Sequence, residues 1–143
     1  MAPVASRRRS SAPLEIPRLS LPAFVLQRAA RRRDKPALID AASGRRISYA
    51  ALARAARGTA AGLSAHGFAK GDVFGIWSPN EIEYAVAVYG ASLAGGIVTT
   101  LNPLYNAIEL VHQLRDVGAK ALAVAPQFAQ TCLLYTSPSP RDS

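Results

Sequence analysis

Gly90-Ala-Ser-Leu-Ala-Gly95-Gly96-Ile97 is similar in its glycine spacing to a phosphate-binding loop. Such a loop needs lysine where Gly96 stands, to neutralise phosphate, and a hydroxyl where Ile97 stands, to hold magnesium. Both are missing, so these glycines read as the end of a helix and the turn into the next strand. The acidic candidates are Glu81, Glu83 and Glu109, two of them within Asn80-Glu81-Ile82-Glu83 and one within Asn106-Ala107-Ile108-Glu109. Each segment has the spacing of a capping asparagine answered by a glutamate three residues on, and a carboxylate there offsets the helix dipole. Caps therefore explain them better than an acid–base pair does. His66 and His112 fall in separate helices, which gives a metal site or a catalytic dyad nothing to rest on. Trp77 and Tyr84 can line a cleft, because ligands collect beyond the carboxyl ends of parallel strands, although core packing accounts for them better.

These residues need elements to position them. Leu21-Pro22 opens a first helix, with proline in the first turn, where its missing amide donor costs nothing. Phe24, Val25, Leu26 and Ala29 face inward, and Arg31, Arg32 and Arg33 close the C-terminus, where cations suit the dipole. Ala37–Asp40 and Ile47–Tyr49 flank Ser43-Gly44 and predict a short hairpin. From Ser48 or Tyr49 to His66, apolar residues at Leu52, Ala55, Ala56, Ala60 and Leu63 give one buried helical stripe, stopped by Gly67. Val73–Trp77, Ile97–Leu101 and Ala121–Ala125 are compact apolar runs with helices between them. The first of those helices is capped by Asn80 and runs to about Leu93; the second carries Ile108, Val111, Leu114 and Val117 inward until Gly118. Strand-helix-strand-helix-strand with continuous apolar strands predicts an α/β fold: parallel strands with flanking helices and right-handed crossovers, plus the hairpin. Three strands and at most four helices are few to cover both faces of such a sheet, which predicts an incomplete domain.

Half of the side chains are hydrophobic and 18% are charged, an ordinary globular composition that excludes collagen-like and disulfide-scaffold chains. The net charge of +8 is local. Residues 1–46 hold eleven basic and three acidic side chains and so the whole excess, while residues 47–143 hold six of each. The triplets Arg7–Arg9 and Arg31–Arg33 lack the interleaved aromatics of a nucleic-acid face, and they read as a solvated leader and an exposed helix end. No nucleic-acid partner is expected. The proline-rich leader over residues 1–17 is expected to be disordered. Arg7–Arg9 run into Ser-Ser-Ala-Pro-Leu-Glu rather than an apolar core, so no signal peptide is read. The single Cys132 can form no internal disulfide, and a reduced, cytoplasmic setting is expected. Tyr84–Ile108 is free of charge and long enough to cross a bilayer, but Gly95-Gly96 divides it into a helical half and a β-branched half, so no membrane span is expected.

Residues 132–142, Cys-Leu-Leu-Tyr-Thr-Ser-Pro-Ser-Pro-Arg-Asp, resemble the conceptual translation of a widely used transposase sequencing adapter. Residues 132–143 are therefore set aside as a tail of artefactual origin, with the native sequence expected to stop near Thr131. Cys132 loses any functional role with them.

On motifs alone the chain is an α/β module, and a small free-standing nucleotide- or protein-binding module is one reading of it. A wider set of residues points elsewhere. Pro36-Ala-Leu-Ile-Asp40, Gly44-Arg-Arg-Ile-Ser-Tyr49, Ala61-Gly-Leu63, Gly71-Asp-Val73, Pro79-Asn80, Asn102-Pro-Leu-Tyr105, Glu109-Leu110, His112-Gln-Leu114 and Gly118-Ala-Lys120 stand in an order that resembles the N-terminal part of the adenylate-forming acyl-CoA synthetases, chiefly the 4-coumarate-CoA ligase and fatty-acyl-CoA ligase group. Asn106 and Ala51 depart from that pattern, at capping positions. The resemblance implies that residues 18–131 are the incomplete N-terminal portion of the large domain of such an enzyme. It further implies ATP, CoA and magnesium as the full-length protein's cofactors and a small carboxylic acid as its substrate. In that family the phosphate loop, the ribose-binding acid and the catalytic lysine lie C-terminal to the segment present here. No catalytic, cofactor-binding or metal-ligating residue is carried over onto this sequence, and the chain alone is expected to be inactive, to bind none of these cofactors and not to fold cooperatively.

Overall fold

A computed structural model describes residues 16–130; most of the expected leader and all of the expected tail, Cys132 included, lie outside the described residues. Ser20 caps the first helix, α1 (Leu21–Gln27), its hydroxyl accepting from Ala23 N. The chain then tightens into a 3-10 segment, Arg28–Arg32, rather than continuing as the single α-helix expected from the sequence. Ala29 is still buried there, beside Leu26. The hairpin forms as β1 (Pro36–Ile39) and β2 (Arg46–Ser48), antiparallel, with Asp40 organising the turn by accepting from Ala42 N and from the Ser43 hydroxyl. Ser48 caps α2 (Tyr49–Ala65) through its hydroxyl.

The main sheet is parallel, in the order β4-β3-β5, from β3 (Val73–Trp77), β4 (Ile97–Thr100) and β5 (Ala119–Val124). The strand nearest the C-terminus starts two residues earlier than the apolar run suggests, because Val73 pairs with Ala119 ahead of a register shift. Alternation along β3 separates the two faces. Phe74 and Ile76 pack with Ala91 of α3 (Ile82–Leu93) and with Val98, Ala121 and Ala123. Trp77, on the other face, packs with Leu101, Leu122, Val124 and Phe128 and with Leu110 and Leu114 of α4 (Ala107–Asp116). The two crossover helices therefore lie on opposite faces, as right-handed connections require when β3 to β4 runs one way along the sheet and β4 to β5 runs back across β3 the other way.

Behind α3 sits another layer. Leu52, Ala53 and Ala56 of α2 are buried among Leu26, Ala29, the hairpin's Leu38 and Ile47, and Val86, Tyr89 and Leu93 of α3. The two helices approach closely at Gly90, where a Cβ would stand 2.5 Å from Thr59 Cγ2. The Gly95-Gly96 pair ends α3 in a Schellman turn: Gly96 N donates to Ala91 O, Gly95 N to Ser92 O, and Gly95 takes φ +82°. The glycines thus terminate a helix, as the missing lysine indicates.

Two expectations about the helices fail. Asn80 does not cap α3; Glu81 occupies the cap position without a side-chain bond, because Glu81 N donates to Pro79 O and this tight turn delays the helix by one residue. Ile108 is 77% exposed. The Asn106 cap makes Ala107 the first helical residue, so Ala107, Leu110 and Leu114 form the inward stripe and Ile108 lies about 100° away from it. No helix among the described residues is long and apolar enough to cross a membrane; the charge-free stretch is divided between α3, β4 and the loop after it.

Candidate functional site

Because β3 is followed by a connection on one face and β4 by a connection on the other, the loops after these neighbouring strands diverge and leave a crevice between their carboxyl ends. This is the switch point at which open α/β sheets bind ligands. The crevice has a volume of about 600 Å³ and is bounded by Ser78, Pro79 and Tyr84 on the α3 side and by Thr100, Asn102 and Tyr105 on the α4 side.

Each wall is fixed by hydrogen bonds. Trp77 is 2% exposed and donates from Nε1 to Asn102 O at 3.1 Å, so the strand that starts one loop pins the other. Its indole stacks on Phe128, ring centroids 4.6 Å apart, which carries the chain after β5 to the same place. Asn102 Oδ1 accepts from Leu104 N at 3.0 Å, and Gln113 Nε2 donates to Thr99 Oγ1 and Thr100 O from α4. Of the two aromatic candidates, Tyr84 lines the crevice and Trp77 lies beneath it as core and brace. Sequence reasoning did not place Asn102, Tyr105 and Gln113 at the cleft. The Asn102-Pro103 turn signal at the end of a strand was the available clue.

A second hollow of about 390 Å³ opens at the carboxyl end of β5, floored by Ile76, Ala87 and Ala123 and rimmed by Arg45, Glu81 and Glu83. Arg45 reaches across from the hairpin to Glu83 through two parallel bonds of 2.7 and 2.5 Å, and Gln127 Nε2 donates to Glu81 Oε1. The Arg45 guanidinium holds the Glu83 carboxyl below its usual range and is itself pushed up by that hydrogen bond. Glu83 is thus an ion-pair partner in the first turn of α3, not an answer to an Asn80 cap. Glu109 does complete a capping box: Asn106 Oδ1 accepts from Ile108 N and Glu109 N, and Glu109 Oε2 accepts from Asn106 N.

These pairings set the character of the crevice walls. Lysine and arginine are absent from its lining. The amides at the start of α4 that would face an anion are taken by Asn106, with Glu109 beside them. The walls offer neutral polar and aromatic groups. No group of three His, Cys, Asp or Glu residues gathers among the described residues. His66 ends α2 with Nδ1 2.8 Å from Gly62 O, and His112 is exposed on α4.

Comparison with known proteins places this geometry in context. The AMP-binding enzyme family matches residues 25–140. The chain is 38% identical over 110 residues to 4-coumarate–CoA ligase 5 of Oryza sativa subsp. japonica, covering 77% of this chain and 20% of that protein. It is 40% identical over 106 residues to a long-chain-fatty-acid–CoA ligase of Escherichia coli O157:H7, covering 73% and 18%. Its fold superimposes on a fatty acyl CoA synthetase of Mycobacterium tuberculosis with a TM-score of 0.74 at 27% identity, over 82% of this chain and 24% of the other. The chain spans about a fifth of the length of the curated relatives it matches.

Proposed function

Since the chain belongs to the AMP-binding enzyme family, we propose that it supplies the N-terminal scaffold of an ATP-dependent carboxylate–CoA ligase. The observation that carries this reading is the likeness to two differently named CoA ligases, at 38% and 40% identity, each over more than 70% of the chain. In the reaction, a carboxylate oxygen attacks the α-phosphorus of ATP. The bond to the bridging oxygen breaks, giving an acyl-adenylate and pyrophosphate. The thiol of CoA, losing its proton, then attacks the acyl carbon and expels AMP, giving the thioester.

The described residues take a supporting part in this scheme. They provide the sheet, the brace of Trp77 on the Asn102 loop, and walls without cations. Phosphate binding and metal binding fall to residues beyond 131, so no catalytic, cofactor-binding or metal-ligating role is given to any residue of this chain. In this reading residues 18–131 form part of the large domain, residues 132–143 are foreign to it, and the enzyme works in the cytoplasm on a small carboxylic acid.

The test is the reading frame past codon 131. Its longer product, given ATP, CoA and a panel of aromatic and aliphatic acids, is expected to release pyrophosphate only when an acid is present, while the 143-residue chain releases none. Robust pyrophosphate release by the 143-residue chain, or a genomic stop codon directly after codon 131, would overturn the reading.

A further inference from the structure

The loop of residues 102–105 forms part of the crevice wall. Asn102 O accepts from Tyr105 N and Asn102 Oδ1 from Leu104 N, both inside the loop. Among the described residues, the one hydrogen bond that leaves the loop runs from Trp77 Nε1 to Asn102 O. Tyr105, at the far end of the loop, packs against the same cluster as Trp77. The place of this wall therefore depends on where the indole points.

The indole is set in turn by the chain that follows β5. Ala125 N donates to Trp77 O, and Phe128 N donates to Ala125 O, a turn that lays the Phe128 ring on the indole with centroids 4.6 Å apart and planes at 23°. Phe128 does not line the crevice. Its segment instead borders the second hollow, through Ala125 and Pro126, and is tied to the start of α3 by the bond from Gln127 to Glu81. Trp77 thus holds this segment by its backbone and ring face, and the crevice loop by its ring nitrogen. Because Trp77 is buried, an indole N–H drawn away from Asn102 O would be left unpaired, at a cost that neither partner can recover from water. A tilt of the indole that keeps its stack on Phe128 must therefore carry Asn102 with it.

We propose that Phe128 is a positioning residue for the crevice: residues 125–128 and the Asn102 loop shift together through the Trp77 ring, so that the second hollow and the crevice are coupled. The coupling runs in both directions, since whatever displaces one end changes the free energy of displacing the other by the same amount. It concerns the shape of the crevice and is independent of the reaction proposed above.

The test is amide hydrogen exchange in the longer reading-frame product, or in the 143-residue chain if the frame closes after codon 131. Phe128→Leu keeps apolar bulk but removes the stack, and the amides of Leu104 and Tyr105 are expected to exchange about fivefold faster, the worth of one stacked aromatic pair. Phe128→Tyr, which keeps the stack, is expected to stay within about twofold of the parent. Trp77→Phe, which lacks the donor, is expected to raise the same exchange about fivefold. With that donor gone Phe128 has no route to the loop, so Trp77→Phe/Phe128→Leu is expected to remain near fivefold, where independent effects would multiply to about 25-fold. Phe68→Leu breaks the edge-to-face pair with Phe74 on the other face of the sheet and is expected to leave Leu104 and Tyr105 unchanged. Parent-like exchange at both amides in Phe128→Leu, a fully multiplicative double variant, or an equal rise from Phe68→Leu would overturn the proposal. No acid, ATP or CoA enters the measurement, so a failure of the proposed reaction leaves these outcomes unaffected. Far-UV circular dichroism identifies a variant that does not fold, and Phe128→Ile then takes the place of Phe128→Leu with the same expectation.

Discussion

Gly90→Ala tests the packing of α2 on α3, because two effects of opposite sign meet at that one residue. In a helix interior, alanine in place of glycine is favourable by about 1 kcal/mol. Here the new Cβ would stand 2.5 Å from Thr59 Cγ2, 2.6 Å from Thr59 Cβ and 3.3 Å from Ala56 O. Rotating the threonine moves Cγ2 but not Cβ, so the helices must part by about 1 Å to restore ordinary contact. Overpacking of this kind costs about 3 kcal/mol, the upper end of its usual range. In the longer reading-frame product, which supplies the rest of the domain, the net effect expected is a destabilisation of about 2 kcal/mol, which makes cleavage by a nonspecific protease about 30-fold faster where cleavage follows the population of the open form. The informative comparison is Thr59→Gly/Gly90→Ala, which moves the missing Cβ from one helix to the other. Thr59→Gly alone is expected to lose less than about 1 kcal/mol, yet in combination it is expected to rescue Gly90→Ala to within about 1 kcal/mol of the parent. A Gly90→Ala chain as resistant as the parent, or a double variant no better than Gly90→Ala, would refute this account of the interface.

Three further outcomes are expected. Asn106→Ala removes the acceptor for Ile108 N and Glu109 N and is expected to cost about 1 kcal/mol of helix stability, read as faster amide exchange over the first turn of α4. Trp77→Phe keeps an aromatic against Phe128 but loses the donor to Asn102 O, at about 1 kcal/mol; exchange is expected to rise in residues 101–106 and to stay unchanged in α2. Asp40, Asp72 and Glu83 are all held below their ordinary carboxyl pKa, Asp40 chiefly by the Ser43 hydroxyl, Asp72 by Lys120 and Glu83 by Arg45. Their folded forms favour the charged state, so their contribution is fully present above the unfolded value of about 4 and fades as pH falls through the lower folded values. Circular dichroism is expected to be flat from neutral pH to about 5 and to decline below about 4, and Asp72→Asn is expected to shrink that decline.

The elements were legible where one local rule acts alone. Ser48 and Asn106 place helix starts through a side-chain oxygen that needs only the next three residues. Gly95-Gly96 ends α3 through a backbone conformation that glycine adopts freely. Asn80 misled because a competing local feature, the turn made by Pro79 O and Glu81 N, lies within the same few residues and shifts the helix start beyond the asparagine. Ile108 misled because, with the helix start at Asn106 correctly placed, the small Ala107 and not the larger Ile108 next to it lies in line with Leu110 and Leu114, and neighbours on a helix point about 100° apart. Contacts between distant segments were not legible at all. Arg45 meets Glu83 across 38 residues and Trp77 meets Asn102 across 25, and neither partner's sequence neighbourhood points to the other.

The crevice falls in the same class, and this bears on what the scaffold contributes. Its position follows from topology: β3 must be central, with connections leaving on opposite faces, and the pairing order β4-β3-β5 supplies that. Its character follows from how the helix ends beside it are satisfied. An open helix N-terminus at a switch point is an anion site, but α4 fills its own with Asn106 and Glu109, and Glu83 places a carboxylate in the first turn of α3. Adding one lysine to the wall, by Thr100→Lys for instance, therefore should not create triphosphate binding, since the amides needed to cradle the phosphates remain engaged. A Thr100→Lys chain that gained micromolar affinity for ATP would show that charge alone was lacking. Continued failure to bind would place the deficit in the capped helix ends, and any means of holding phosphate would then have to come from residues outside this crevice.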